Sequence, residues 1–210
     1  GGCKSFRGGI ALRSGLRATD AVNEQNDFAL KVLLMDERGE MTQDNTPLAQ
    51  AAEDLFNHAM DREDVKWLLA RLPEEASVAR SKVEYELQIL KFISVGWSIA
   101  YVLEDAPHKA PLSQRYWEAV QAYAQSLSET TGLMIGQDID YFQILKQRLE
   151  GYVQALADRP DANEPAVVIG PEFAHICGNR ADLFVEMAGA NMFLTTVRRV
   201  EQYLGAIDLP

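Results

Sequence analysis

Apolar side chains recur every three to four positions along most of this sequence, and that period limits the fold more than any other feature. It matches the turn of about 3.6 residues in an α-helix, so each segment carries an apolar stripe that must be buried against a neighbour. No sustained alternation of apolar and polar residues, which would indicate a strand, is present. The sequence therefore predicts an all-α fold, an antiparallel bundle of about six or seven helices with short connections.

The positions of glycines and of predicted helix N-caps divide the chain into an N-terminal leader and a helical domain. The glycine-rich residues 1–18 are predicted to be a flexible basic leader, and residues 19–210 are predicted to form a single helical domain. Thr19 or Asp20 can cap a first helix that ends at about Glu37.

The next helix has the clearest start in the sequence. Thr46 is predicted to be its N-cap, with Pro47 in the first turn, where the missing N–H has no cost. A break is expected near residues 61–64, and Pro73 closes the segment. The helix that follows Pro73 is predicted to be the longest, and Gly132 suits the position just past the end of its successor. Later helices are predicted over residues 73–104, 111–131, 138–158 and 179–204.

The C-terminal region contains a short segment with two alternative conformations, followed by a helix. Residues 165–169 are an apolar run that is either extended or a single helical turn, and Gly170 with Pro171 is expected to break it before a short helix to Cys177. Cys177 itself is interpreted as a buried small hydrophobe. Asn179 is predicted to cap the last helix. The buried seam of that helix is predicted to be Leu183, Met187, Ala190, Leu194, Val197 and Leu204.

Three polar residues of the last helix have alternative interpretations. Asn191 falls near the predicted seam, where a buried hydrogen bond would fix the register of the helix. Arg198 and Arg199 either contact a partner or complement the negative end of the helix dipole. Structural roles are the simpler interpretation of all three.

Charge narrows the choice of partners. The sequence has 31 acidic and 20 basic residues, a net charge of −11, with +4 in the first 19 residues and −15 in the remainder. So acidic a body repels phosphate backbones, which disfavours nucleic-acid binding. The most apolar stretch, residues 87–103, contains Lys91 and is short for a membrane span. It is predicted to be a central helix of the bundle.

The first residues suggest a location. The chain opens with Gly1, Gly2, Cys3 and Lys4. This resembles the end of a bacterial lipoprotein lipobox, in which small residues precede the cysteine that is lipidated. The resemblance implies lipid attachment at Cys3 and a place on the periplasmic side of the bacterial cell envelope, with the leader beside anionic lipid. The alternative is a cysteine beside glycines by chance, in a cytoplasmic protein.

The main alternative to a role without chemistry is a metal-binding protein or an enzyme whose site is built inside the bundle from Glu172, His175, Asp54 and His58. Glu172 and His175 have the Glu-x-x-His spacing that puts a carboxylate and an imidazole on one helix face. Similarity to ferritin-like di-iron bundles would require a second such pair, and the nearest substitute is Asp54 with His58 at a different spacing. With three histidines in the whole sequence there are few ligands for such a site.

The function predicted from these observations is interaction rather than catalysis. The sequence contains neither Gly-x-Ser-x-Gly nor a phosphate-binding loop, so no catalytic residue and no cofactor is predicted. We expect a helical-bundle interaction or assembly protein with a protein partner, without nucleic acid, and with a membrane tether if Cys3 is lipidated. A cytoplasmic adaptor or small-molecule-binding bundle is a further alternative, for which a large apolar pocket would be the sign. The oligomeric state is not predicted.

Overall fold

The computed structural model describes residues 46–74, 77–207 and 209, and in these residues it contains only helices, turns and loops. The predicted all-α fold is confirmed. The predicted leader over residues 1–18 and the predicted first helix, from residue 19 or 20 to about 37, lie outside the described residues. The helices are α1 Pro47–Met60, α2 Glu63–Leu69, α3 Arg80–Val102, α4 Lys109–Ile135, α5 Tyr141–Ala157, α6 Ala166–Cys177 and α7 Leu183–Ala206.

Helix α3 is the centre of the bundle and contacts each of the other six described helices. Its buried residues occupy most of its circumference, as the stretch over residues 87–103 predicted. The most extensive pairings are α6 with α7 and α3 with α7, followed by α1 with α4. Across the described residues, no helix is both long enough and apolar enough to cross a membrane.

The start of α1 and the break after it are as predicted. The Thr46 hydroxyl accepts a hydrogen bond from the Ala49 amide at 3.2 Å, and Pro47 lies in the first turn. Helix α1 ends at Met60 and α2 begins at Glu63, so the expected break near residues 61–64 is confirmed.

Two predicted helix boundaries were wrong. Helix α3 begins at Arg80 and not near Pro73, because the amide and hydroxyl of Ser77 are hydrogen-bonded to Asp182, 105 residues later. Helix α4 has 27 residues against 23 in α3, so α3 is not the longest. Helix α4 continues through Gly132 and is capped by Gly136, whose φ of 66° is the left-handed conformation that glycine adopts without strain.

The predicted break at Gly170 and Pro171 was also wrong, since α6 is one continuous helix. Proline at position 171 leaves the Val167 carbonyl without its usual helical donor, and the Arg159 guanidinium donates to that oxygen at 3.4 Å. Gly170 serves close packing, because a Cβ there would lie 2.9 Å from the Glu186 carbonyl oxygen of α7.

The cap and the seam of α7 differ from the prediction. Asp182, not Asn179, is the N-cap, and its Oδ1 accepts from the amides of Phe184 and Val185. The helix ends at Ala206. Of the predicted seam only Leu204 is buried, whereas Leu183, Met187 and Leu194 are exposed. The buried residues of α7 are Val185, Ala188, Gly189, Met192, Phe193, Thr196, Val200 and Leu204.

Candidate functional site

Asp54 and His58, the first half of the predicted metal pair, lie one turn apart on α1, but Asp54 already has partners. Its Oδ1 accepts from the side-chain amide of Gln50 at 2.9 Å, and its Oδ2 accepts from the Tyr203 hydroxyl of α7 at 2.7 Å. Burial and this bond to a carboxylate raise the pKa of the Tyr203 hydroxyl. Asp54 therefore joins α1 to the end of α7.

A buried lysine lies near His58, and sequence reasoning did not assign it to a site. The Lys91 side chain is fully buried, and its ammonium donates to the Asp61 carbonyl at 2.6 Å and forms an ion pair with Asp64 at 3.1 Å. Arg199 of α7 donates to the same carboxylate of Asp64. The signal that could have revealed this cluster is a lysine inside the most apolar helix of the chain.

The protonation states of this cluster follow from its surroundings. Burial, together with the positive charges of Lys91 and Arg199, lowers the pKa of His58. The Nε2 atom of His58 is buried and has no hydrogen-bond partner among the residues that the structure describes. Burial alone would raise the pKa of Asp64, but the hydrogen bond and charge of Lys91 and the contact with Arg199 lower it overall. The cluster thus favours a neutral imidazole beside a paired carboxylate, which suits a structural junction of α1, α2, α3 and α7.

A second buried ion pair joins α3 to α5. The Arg148 guanidinium donates twice to the carboxylate of Glu86, at 2.8 Å for each bond. This bidentate contact to Glu86 raises the pKa of Arg148. Because both oxygens of the buried carboxylate accept hydrogen bonds from Arg148, Glu86 serves to hold α3 against α5.

Glu172 and His175, the other half of the predicted metal pair, lie on α6. The Glu172 carboxylate accepts from Arg180 at 3.2 Å, and His175 is exposed. Within the described ranges, no three histidine, cysteine or acidic side chains lie close enough to hold a metal ion. The structure therefore does not bring Asp54 and His58 together with Glu172 and His175 in one group.

Cys177 is buried at the end of α6, as predicted. Burial raises the pKa of its thiol to about 12. A thiol with so high a pKa stays protonated near neutral pH and is a poor nucleophile and metal ligand.

An open groove of about 560 Å³ lies between α2 and α7. Four of its seven lining residues are charged, and the Arg71 guanidinium lies 3.4 Å from the ring centre of Trp67. Because the groove is open to solvent, it is not the enclosed apolar pocket that is typical of small-molecule binding. The lining residues are Glu63, Asp64, Lys66, Trp67, Leu68, Thr195 and Arg199.

One side of α7 exposes an apolar surface that the sequence placed in the core. Leu183 is 66% exposed, Met187 is 60% exposed, and Asn191 is exposed between Met187 and Leu194 rather than buried in the seam. Val167 of α6 is also exposed, one turn before Gly170, which packs against α7. We call the surface formed by Leu183, Phe184, Met187 and Leu194 of α7 the α7 face.

The C-terminal end of α4 exposes a second apolar surface. Leu133 is 88% exposed and Met134 is 78% exposed, and Ile135 next to them is also exposed. Three consecutive helical residues point in directions about 100° apart, so the apolar atoms surround the helix end. We call these three residues the α4 tip. The sequence did not identify it, because the predicted helix ended before these residues.

Comparison with known proteins found no matching family model, no matching curated protein and no matching solved structure.

Proposed function

We propose that this chain is a non-catalytic helical-bundle protein that acts by binding other proteins, as a component of an assembly. The observation that carries this proposal is the concentration of its exposed large hydrophobic residues. In the described residues, seven of the ten such side chains lie in the α7 face or the α4 tip. Single exposed hydrophobic residues are normal on protein surfaces, whereas contiguous groups of them mark interaction sites.

The buried charges are consistent with this proposal. Lys91 and Glu86 are the two buried ionic side chains deepest in α3, and each is paired with a group on another helix. Such pairs orient neighbouring helices, and neither faces the groove beside Trp67 that could admit a substrate. A stable scaffold with exposed apolar surfaces is what an assembly component requires.

Site-specific photo-crosslinking tests the proposed function at the α4 tip. A photoreactive phenylalanine analogue at Leu133, expressed in the native cell, should give one discrete crosslinked product with another protein. The matched control is the same analogue at Gln125, which is exposed on the same helix but outside the tip. Equal, diffuse labelling at both positions, or no product at either, would contradict the proposal.

We propose, as a separate statement about location, that the assembly lies at the bacterial cell envelope and that the chain is tethered through Cys3. The support is the resemblance of Gly1, Gly2 and Cys3 to the end of a lipobox, in residues outside the described part of the chain. Labelling cells with a radioactive fatty acid tests it. Incorporation into the wild type but not into Cys3→Ala is expected; absence of label in the wild type excludes the tether.

A further inference from the structure

We propose that the α7 face binds the same face of a second copy of this chain, with the two α7 helices antiparallel and a two-fold axis near Asn191. This inference rests on the proposed function as an assembly protein and names one partner. It uses a different surface from the α4 tip, so the two proposals can fail separately.

The apolar residues of the α7 face form a straight stripe. At about 100° per residue, Leu183, Met187 and Leu194 lie within about 40° of each other around the helix axis. From Leu183 to Leu194 the stripe is about 16 Å long at a rise of 1.5 Å per residue. A stripe of this kind is complementary to another helix, which can bury it along its length.

The residues of the stripe are arranged so that two copies of the stripe are complementary when they run in opposite directions. If the two-fold axis passes between Ala190 and Asn191, Met187 of each copy lies opposite Leu194 of the other. Leu183 then lies opposite Arg198, an exposed residue whose alkyl stem can cover an apolar side chain while its guanidinium stays in water. An antiparallel pair thus covers both ends of the stripe, as an isologous interface requires.

The charges at the two ends of α7 favour the antiparallel direction. Arg180 precedes the helix, and Glu201 lies near its other end, each about ten and a half residues from the proposed axis. Antiparallel pairing places Arg180 of one copy beside Glu201 of the other, twice per dimer. The Arg180 side chain is 65% exposed and contacts only Glu172 at 3.2 Å in the described structure, so it can reach across.

Asn191 gives the pair a defined register. It is the polar residue between the two apolar halves of the stripe, and it is exposed in the single chain. At the two-fold axis the two Asn191 amides lie next to each other and can exchange hydrogen bonds. One asparagine in an apolar helix seam is a known means of fixing register at some cost in stability.

The association state of the full chain tests the proposal directly. Sedimentation velocity over a wide range of concentration should show a monomer–dimer equilibrium. Met187→Glu should raise the dissociation constant roughly a hundredfold or more, because it places a charge in the apolar stripe. Gln125→Glu, at an exposed position of α4 outside both the α7 face and the α4 tip, is the control and should leave the dimer intact.

Charge reversal tests the direction of the pair. Arg180→Glu or Glu201→Arg alone should weaken the dimer roughly threefold to thirtyfold, since two exposed ion pairs become repulsive. The double variant should recover most of the wild-type affinity, because the pairs are restored with their signs exchanged. Single variants that weaken the dimer without any recovery in the double variant contradict this pairing.

Cysteine crosslinking locates the axis. In a Cys3→Ala background, Asn191→Cys should form a disulfide-linked dimer under mild oxidation, while the buried Cys177 stays reduced. Gln202→Cys, exposed on the same helix, should not crosslink, because antiparallel pairing separates the two copies of that residue by about 34 Å. Crosslinking at both positions would indicate a parallel pair and overturn the proposal. A chain that stays monomeric at all concentrations would overturn the proposal too. If Met187→Glu then lowered the free energy of unfolding of the monomer, this would indicate that residues 1–45 cover the face.

Discussion

Gly96 sets the distance between α3 and α4, and its replacement tests the packing at the centre of the bundle. A Cβ at this position would lie 2.2 Å from Cζ2 of Trp117, a side chain that is only 3% exposed and has no room to move. We therefore expect Gly96→Ala to lower the free energy of unfolding by about 1–3 kcal/mol. Urea unfolding followed by circular dichroism measures this change.

At a second glycine, replacement by alanine is predicted to change the free energy of unfolding in the opposite direction. Gly151 lies inside α5, and a Cβ there meets no atom within 4 Å. Gly151→Ala should raise the free energy of unfolding by about 0.5–1 kcal/mol, because alanine loses less backbone entropy in a helix. If Gly96→Ala does not lower the free energy of unfolding, the close approach of Gly96 to Trp117 is wrong.

His58 makes stability depend on pH on the acid side of neutrality. Burial, with the charges of Lys91 and Arg199, lowers its pKa in the folded state below the unfolded value of about 6.5. As the pH falls through the unfolded pKa, the unfolded chain takes up a proton that the folded chain does not. Stability should therefore fall, by less than about 1.4 kcal/mol per pH unit from this residue, until the folded pKa is reached.

Replacing His58 isolates this contribution. Urea unfolding between pH 7.5 and 5.5 should show a smaller pH dependence for His58→Gln than for the wild type. His175→Gln replaces an exposed histidine and is the matched control, which should keep the wild-type dependence. An unchanged slope in His58→Gln would mean that its imidazole is not shielded from water as the structure indicates.

At the scale of elements, the helices were predictable where the signals are local. The start of α1 follows from Thr46 and Pro47, since a cap and the residue it satisfies are three positions apart. The continuity of α6 was not predictable, because the oxygen that Pro171 leaves without a donor is bonded by Arg159, and Gly170 serves contact with another helix. A helix breaker in sequence is harmless when tertiary contacts replace what it removes.

The predicted buried seam of α7 was wrong for a related reason. This helix has two apolar stripes, and the sequence alone does not say which one is buried. The stripe that contains Gly189 is buried because a Cβ there would lie 2.5 Å from the Phe173 ring of α6, so the missing side chain allows α6 to approach. The other apolar stripe, with Leu183 and Met187, is left exposed. The close approach that Gly189 allows, which hydrophobicity does not indicate, decided which stripe is buried.

Asp182, the N-cap of α7, also holds the segment before α3 in place, and this leads to a prediction at the scale of elements. Asp182 accepts bonds from two amides of α7 and also from the amide and hydroxyl of Ser77. Asp140, the N-cap of α5, accepts one from the Gln143 amide. We expect Asp140→Ala to cost about 0.5–2 kcal/mol and Asp182→Ala to cost more, because the second also frees the segment before α3. Thermal and urea unfolding of the two variants give the comparison, and equal costs would contradict a linking role for Asp182.

At the scale of the whole molecule, the sequence predicted the class of fold but not the surfaces that carry the proposed function. Patterns of apolar residues establish that helices bury stripes, and a bundle follows. They do not distinguish a buried stripe from an exposed one, so the α7 face was taken for core. The Lys91 cluster was missed because its members come from α1, α2, α3 and α7, which meet only in the folded chain.

The separation between scaffold and interaction surface can be tested with two leucines of α4. Leu112 is fully buried near the start of the helix, whereas Leu133 at the α4 tip is 88% exposed. Leu112→Ala should lower the free energy of unfolding by about 2–5 kcal/mol, because it leaves a cavity in the core. Leu133→Ala should change it by less than about 0.5 kcal/mol, since little apolar area is buried there in the single chain.

Under the proposed function Leu133→Ala should nevertheless weaken partner binding, so the same substitution on one helix affects folding at one end and association at the other. A large loss of stability in Leu133→Ala would mean that the tip is covered within the chain, and it would then be part of the scaffold rather than a binding surface.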